Sequence, residues 1–149
     1  MFDIRSVNFE SAEQLLYLWR ETFKQAYEEV HTPENIQAYC ANNFTLDAAV
    51  EVLSDDKTVC CIAYQDDRPS GYYIVKHHNC PIELKQSASE LKQIYILASQ
   101  YGLGVGRALF KHASSLVQDA GYEGIWLCVS DINYRAQSFY KKLNFTPVG

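Results

Sequence analysis

The sequence predicts an α/β domain built on a mixed sheet. Three observations carry that expectation. Helical patterns cluster in the first third of the chain. An antiparallel hairpin follows, two apolar runs around the turn-forming stretch DDRPSG. The second half then alternates strand, helix, strand, helix, an order that places helices against a sheet. The 149 residues suit one domain with a single core.

The elements follow in order. Residues 2–7 (FDIRSV) alternate apolar and polar, as a half-buried first strand does. Ser11 with Gln14 makes a capping box for a helix over 12–29, with Leu15, Leu16, Trp19 and Phe23 as its buried stripe. Thr32-Pro33 opens a second helix carrying Ile36 and Tyr39, because proline suits the first helical position. Thr45 caps a third, ending near Leu53. Residues 58–64 (TVCCIAY) and 72–76 (YYIVK) are the hairpin strands. A loop over 77–88 leads to a fourth strand, 90–97 (ELKQIYIL). Val105, Ala108, Leu109, Ala113, Leu116, Val117 and Ala120 keep helical spacing, and Gly121 ends that helix. Residues 125–129 (IWLCV) read as a short buried strand. Ile132, Ala136, Phe139 and Leu143 line a last helix, Asn144 takes its left-handed cap, and residues 145–148 begin a further strand.

Composition narrows the functional classes. The net charge of −5 argues against a nucleic-acid partner. No apolar run approaches the ~20 residues that cross a bilayer, so no membrane partner is expected. The N-terminus lacks the pattern of a signal peptide. Five cysteines without a C-x-x-C pair suggest reduced thiols and a cytoplasmic location, most of them buried as small core residues. Charge is uneven along the chain. Residues 1–56 hold 11 acids and 3 bases, and residues 57–149 hold 7 acids and 10 bases. That division suits a cation early and an anion late, or reflects no more than solvated helix faces.

The strongest chemical signal is the loop Gln100-Tyr101-Gly102-Leu103-Gly104-Val105-Gly106-Arg107, between a strand and a helix. The first N–H groups of a helix lack internal partners and carry partial positive charge. Glycines let a ligand approach them, so the turn suits a phosphate or pyrophosphate, with Arg107 and Lys111 adding charge. It is not a P-loop, because no Lys-Ser/Thr pair follows. It is not a dinucleotide fingerprint, because the third glycine falls on Arg107 or Leu109.

Two motifs in order carry a family resemblance. Gly104 and Gly106 match the glycines of [QR]-x-x-G-x-[GA]. Asn133, Ala136, Phe139, Tyr140 and Phe145 match N-x-x-A-x-x-F-Y-x-x-x-G-F. The chain thus resembles the GNAT superfamily of N-acetyltransferases. The segment ETFKQAYEEVHTPENIQAYCANNF (21–44) further resembles bacterial Pai-type spermidine/spermine N-acetyltransferases. Tyr101 departs from the pattern at the Gln/Arg position, and Asn144 replaces a glycine. The family pattern continues past Gly149 through one more strand.

The resemblance implies a single N-acetyltransferase domain over residues 1–149. Its sheet would be twisted, mixed and mostly antiparallel, flanked by helices and lacking the final strand. It implies acetyl-CoA as cosubstrate, no metal, and transfer to a primary amine by direct attack. Homodimers are common in the superfamily. The cofactor site would comprise Ile94, Tyr95 and Ile96, then Tyr101, Gly102, Leu103, Gly104, Val105, Gly106 and Arg107, with Asn133 and Tyr140. Pantetheine would pair with the edge at Ile94–Ile96, and the N–H of Tyr95 or Ile96 would meet the charge developing on the thioester oxygen.

Tyr140 is the candidate acid for the departing thiolate, since a thiol has pKa ~8.5 and a phenol ~10. It shares a helix face with Asn133 and Gln137. Glu90, at the start of the fourth strand, is the candidate base or a surface carboxylate. Acceptor candidates are Glu21, Glu28, Glu29 and Glu34, with Tyr27 and Tyr39 offering cation–π faces. The acceptor itself stays open: a polyamine or other small amine, a protein or amino-acid amine, or none, in a CoA sensor. His31 and the pair His77-His78 lack the companions of a metal site. His112 lies on an apolar helix face as a core residue.

Overall fold

The computed structural model describes residues 2–77, 88–129 and 133–147. The chain runs β1 (Asp3–Ser6), α1 (Ala12–Tyr27), α2 (Pro33–Asn43), α3 (Leu46–Leu53), β2 (Thr58–Gln65), β3 (Arg68–Lys76) and β4 (Ala88–Ile96). It continues through α4 (Val105–Asp119), β5 (Gly124–Trp126) and α5 (Tyr134–Lys142). One five-stranded sheet holds the strands in the order β1-β2-β3-β4-β5. The first four are antiparallel and the last pair is parallel. This is the mixed, mostly antiparallel sheet with flanking helices that the sequence implies.

Local chemistry places the helix ends. The Thr32 and Thr45 hydroxyls accept from the N–H groups of Asn35 and Ala48, and Pro33 opens α2. The hairpin turns through Asp66-Asp67, both left-handed at φ 52° and 63°. The stretch Arg68–Gly71, expected within the turn, belongs to β3 instead. Gly121 and Asn144 take the left-handed positions after α4 and α5, at φ 91° and 70°.

Strand alternation divides the core in two. Cys60, Ile62, Tyr64, Tyr72 and Ile74 face α1 and α3, where Leu15, Leu18, Trp19 and Ala49 meet them. Cys61, Ala63, Tyr73 and Val75 face α4, where Val105, Leu109, Ala113 and Val117 pack. His112 is held on that side as expected, joined to the Tyr73 hydroxyl at 2.7 Å.

Several expectations need correction. Ser11 does not cap α1 with its side chain. Asn8 and Ser11 instead form a capping box on the 3₁₀ turn Phe9–Ser11, and Gln14 accepts from the Tyr64 hydroxyl. The α1 helix stops at Tyr27, and its buried stripe is Ala12, Leu15, Leu18, Trp19 and Thr22, with Leu16 and Phe23 half-buried. β4 spans Ala88–Ile96 rather than 90–97, and β5 ends at Trp126 rather than residue 129. Residues 145–147 form no strand. Cys60 and Cys61 are buried, but Cys40 is half-buried and Cys128 exposed. Cys80, His78, Ile132, Val148 and most of the expected 77–88 loop lie outside the described residues. No helix among the described residues is long and apolar enough to cross a membrane.

Leu109 is fully buried where α4 meets the sheet. Leu109→Ala should cost about 2–5 kcal/mol. Thermal unfolding should show the midpoint falling by roughly 5–15 °C, and a smaller loss for the half-buried Leu116→Ala.

Candidate active site

The site begins where two strands part. β4 and β5 are in register only at Ala88↔Gly124, Ser89↔Ile125 and Glu90↔Trp126. Just beyond, β4 bulges: Val75 pairs with Leu91 and Ile74 with Gln93, leaving Lys92 as the extra residue. A bulge bends its strand and strengthens the local twist. From there to Ile96 β4 keeps β3 on one side and has no strand partner on the other among the described residues.

Register decides which groups face the opening. Leu97 donates to the Ser70 carbonyl of β3 at 2.9 Å. Antiparallel pairs alternate, so Tyr95 and Gln93 turn their backbone groups toward β3 as well. Ile94 and Ile96 then point N–H and C=O into the open edge. Of the two candidate oxyanion donors, Ile96 has its N–H on that side and Tyr95 does not.

The glycine loop lies at the end of this edge. Gly102 and Gly104 adopt φ 79° and 87°, and Gly104 ends the loop with no side chain to cap α4. The first helical bond runs from the Ala108 N–H to the Gly104 carbonyl. The N–H groups of Val105, Gly106 and Arg107 therefore lack an intrahelical acceptor. Tyr101, Leu103 and Arg107 are exposed around them. Gly106 is buried because its missing side chain admits two neighbours. A Cβ there would meet Ile96 Cδ1 at 2.8 Å and the Phe139 ring at 3.2 Å. That close approach fixes the helix start against both β4 and α5. The Gln100 side-chain oxygen, at the head of the loop, is buried with no hydrogen-bond partner among the described residues.

From the other side α5 closes the opening. Asn133 caps it, its Oδ1 accepting from the Ala136 N–H at 3.2 Å. Tyr140 is half-buried against the α4-side core and touches the Phe139 and Phe145 rings. Burial, then the nearby Tyr95 phenol, pushes its pKa up to about 12. Tyr95 is raised in turn by burial and by Tyr27. Its ring also lies 6.0 Å from that of Tyr72, whose hydroxyl donates to Gln93 Oε1 at 2.8 Å.

The remaining candidates divide. Glu90 is half-buried at the last paired position, on the sheet face it shares with Tyr72 and Ile74. Tyr27 and Tyr39 both pack on Phe23, Tyr39 stacked at 4.4 Å. Glu21 and Glu28 are not with them. They line a separate cavity of about 360 Å³ between α1 and α2, beside Arg20 and Lys24. Two cations there offset two carboxylates, so the expected acidic pocket is locally neutral. Glu29 and Glu34 are exposed near the α1–α2 turn. His77 bonds Ser89 Oγ at 2.9 Å and stacks on Tyr122, and burial lowers its pKa. The described residues contain no group of three or more His, Cys, Asp or Glu able to hold a metal.

Two contacts escaped the sequence reading. Gln25 accepts from the Ala98 N–H at 2.7 Å, tying α1 to the end of β4. Arg135 lies over the Tyr101 ring at 3.8 Å. Both join residues far apart in sequence, and neither leaves a local pattern.

A parted strand pair, an edge of outward backbone groups and a helix start without intrahelical acceptors thus meet at one end of β4. Residues 13–145 match the model of the acetyltransferase (GNAT) family, and the chain belongs to that family. It is an N-acetyltransferase, and its acetyl donor is acetyl-CoA. Uncharacterized N-acetyltransferases of Mycobacterium tuberculosis and Mycobacterium bovis are 29% identical to it over 134 residues, covering 90% of this chain and 82% of theirs. The PaiA N-acetyltransferase of Thermoplasma acidophilum, solved with coenzyme A, shares the fold at TM-score 0.77 and 22% identity, over 96% of this chain and 88% of that one. The aminoglycoside N-acetyltransferase AAC(6')-Iy, solved with a bisubstrate analog, does so at TM-score 0.74 and 20% identity, over 100% and 93%.

Gly106→Ala should drive α4 off Ile96 and Phe139 at a cost of about 1–3 kcal/mol. Paired unfolding and CoA titrations should show both a lower midpoint and weaker binding.

Proposed function

We propose that residues 1–149 act as one catalytic domain that acetylates a small cationic amine, a polyamine being the first choice. The observation that carries this reading is an aromatic group at the open end of β4: Tyr95, its ring 6.0 Å from that of Tyr72, with Tyr27 packed on Phe23 at the end of α1. Tyr27 and Tyr95 are each more than two-fifths exposed. Their π faces suit an ammonium group without a paired carboxylate. The names of the structural neighbours, PaiA and aminoglycoside acetyltransferases, support the same acceptor class.

Acetyl-CoA supplies an acetyl group activated as a thioester. The chain's residues do the rest. Val105, Gly106 and Arg107 offer backbone N–H groups to phosphate oxygens. Ile94 and Ile96 pair with the pantetheine amides as a strand would. The Ile96 N–H meets negative charge on the reacting carbonyl oxygen. Tyr140 donates a proton to the departing sulfur. Burial keeps the phenol protonated but also weakens it as an acid, so its hydrogen bond to the sulfur comes first, and the proton that the amine nitrogen loses as the C–S bond breaks returns Tyr140 to its neutral form. The acceptor must arrive as a free amine, and Glu90, at the point where the strands part, is positioned to take its proton directly or through water.

The test is release of free CoA thiol against spermidine, spermine, aminoglycosides, amino acids and peptides. Saturable release with polyamines is the expected result. Release only with peptides or amino acids would overturn the acceptor class. Tyr140→Phe should lower kcat about 10²–10⁴-fold and leave the KM for acetyl-CoA nearly unchanged. In the wild type, kcat should show no alkaline fall until the pH nears about 12. A fall at the ordinary phenol value, ~10, would count against Tyr140 as the acid.

A further inference from the structure

In the glycine loop, Tyr101 stands at the Gln/Arg position of the motif. A cation reaches that position from another element. Arg135, in the first turn of α5, lays its guanidinium over the exposed Tyr101 ring with Cζ 3.8 Å from the centroid. Stacking occupies the flat face of a guanidinium and leaves its edge N–H donors free to bond two oxygens of a phosphate. No carboxylate pairs with Arg135 among the described residues, whose ion pairs join Arg5 to Asp3 and Asp67, and Lys76 to Asp55. Tyr101 is itself three residues before Gly104, the residue that opens the free N–H groups of α4. The stack thus holds beside the loop a cation with no carboxylate partner among the described residues. Its neighbour Gly106 packs on Phe139 of the same helix α5, so the helix and the loop are fixed to each other at two points.

We propose that Arg135 is a phosphate-binding residue of the coenzyme A site, held in place by the Tyr101 ring that occupies the motif's Gln/Arg position. The proposal rests on the reading of residues 101–107 as the phosphate cradle. Tyr101 is then a positioning residue, acting through Arg135. Coenzyme A offers two phosphate sources, its pyrophosphate and its 3′-phosphate, and Arg135 has the same chemistry for either.

Calorimetric titration with CoA and 3′-dephospho-CoA tests this, with the KM for phosphate-free acetyl-pantetheine as control. Arg135→Gln should weaken CoA binding about tenfold, the loss of one charge-assisted hydrogen bond. The acetyl-pantetheine KM should stay put. An equal loss with 3′-dephospho-CoA assigns Arg135 to the pyrophosphate. No loss with that analogue assigns it to the 3′-phosphate. Arg135→Lys should recover part of the affinity, because the charge remains. Tyr101→Leu should reproduce part of the loss and add little to Arg135→Gln, because both act through one contact. Wild-type CoA affinity in Arg135→Gln would overturn the proposal. So would an acetyl-pantetheine KM raised by the same factor, which would mark a structural role in α5. Failure of the wild type itself to bind CoA would instead remove the loop reading beneath it.

Discussion

The site depends on a broken pairing. β4 and β5 share three positions and then part, so the last residues of β4 keep a partner on one side only. Backbone N–H and C=O groups in a part-buried edge cost free energy unless something pairs with them. Under the proposed function, the pantetheine of acetyl-CoA takes that missing place. The extra residue Lys92 bends β4 at the point of parting, and the register behind it sends Ile94 and Ile96 outward. A regular β4–β5 ladder would fill this edge with strand and leave no room for pantetheine.

Everything around the opening holds it in that shape. Gly106 lets α4 come within contact of Ile96 and Phe139, so the helix that supplies free N–H groups is fixed to the edge that supplies the rest. Asn133 caps α5 and sets the direction from which Tyr140 approaches. Gln25 ties α1 to Ala98, which holds the end of α1 that carries Tyr27 at the end of β4. Three helices therefore converge on one strand end. In the proposed function, α4 takes the phosphate, α5 brings Tyr140 to the thioester, and α1 faces the acceptor.

What was legible in the sequence was the chemistry of short range. Thr32-Pro33, Thr45, Gly121 and Asn144 mark helix ends because caps and left-handed turns depend on a few adjacent residues. The glycine loop was legible for the same reason. Errors arose where two local options competed or where distance decided. Ser11 could cap or be capped, and the 3₁₀ turn at Asn8 took it. IWLCV is apolar throughout, but strand extent depends on a partner, and β4 bends away after Glu90. The bulge at Lys92 has no signature of its own. Glu21 and Glu28 share a helix with Tyr27, yet they turn to the α2 groove with Arg20 and Lys24. Helical phase separated them, and packing set that phase.

Amide hydrogen exchange with and without CoA tests the central claim most directly. The account predicts that CoA slows exchange at Ile94, Ile96 and the loop amides from Gly102 to Arg107. It predicts little change at Tyr95, whose N–H already faces β3. Protection confined to the groove between α1 and α2, or protection of Tyr95 with Ile94 and Ile96 unchanged, would contradict it.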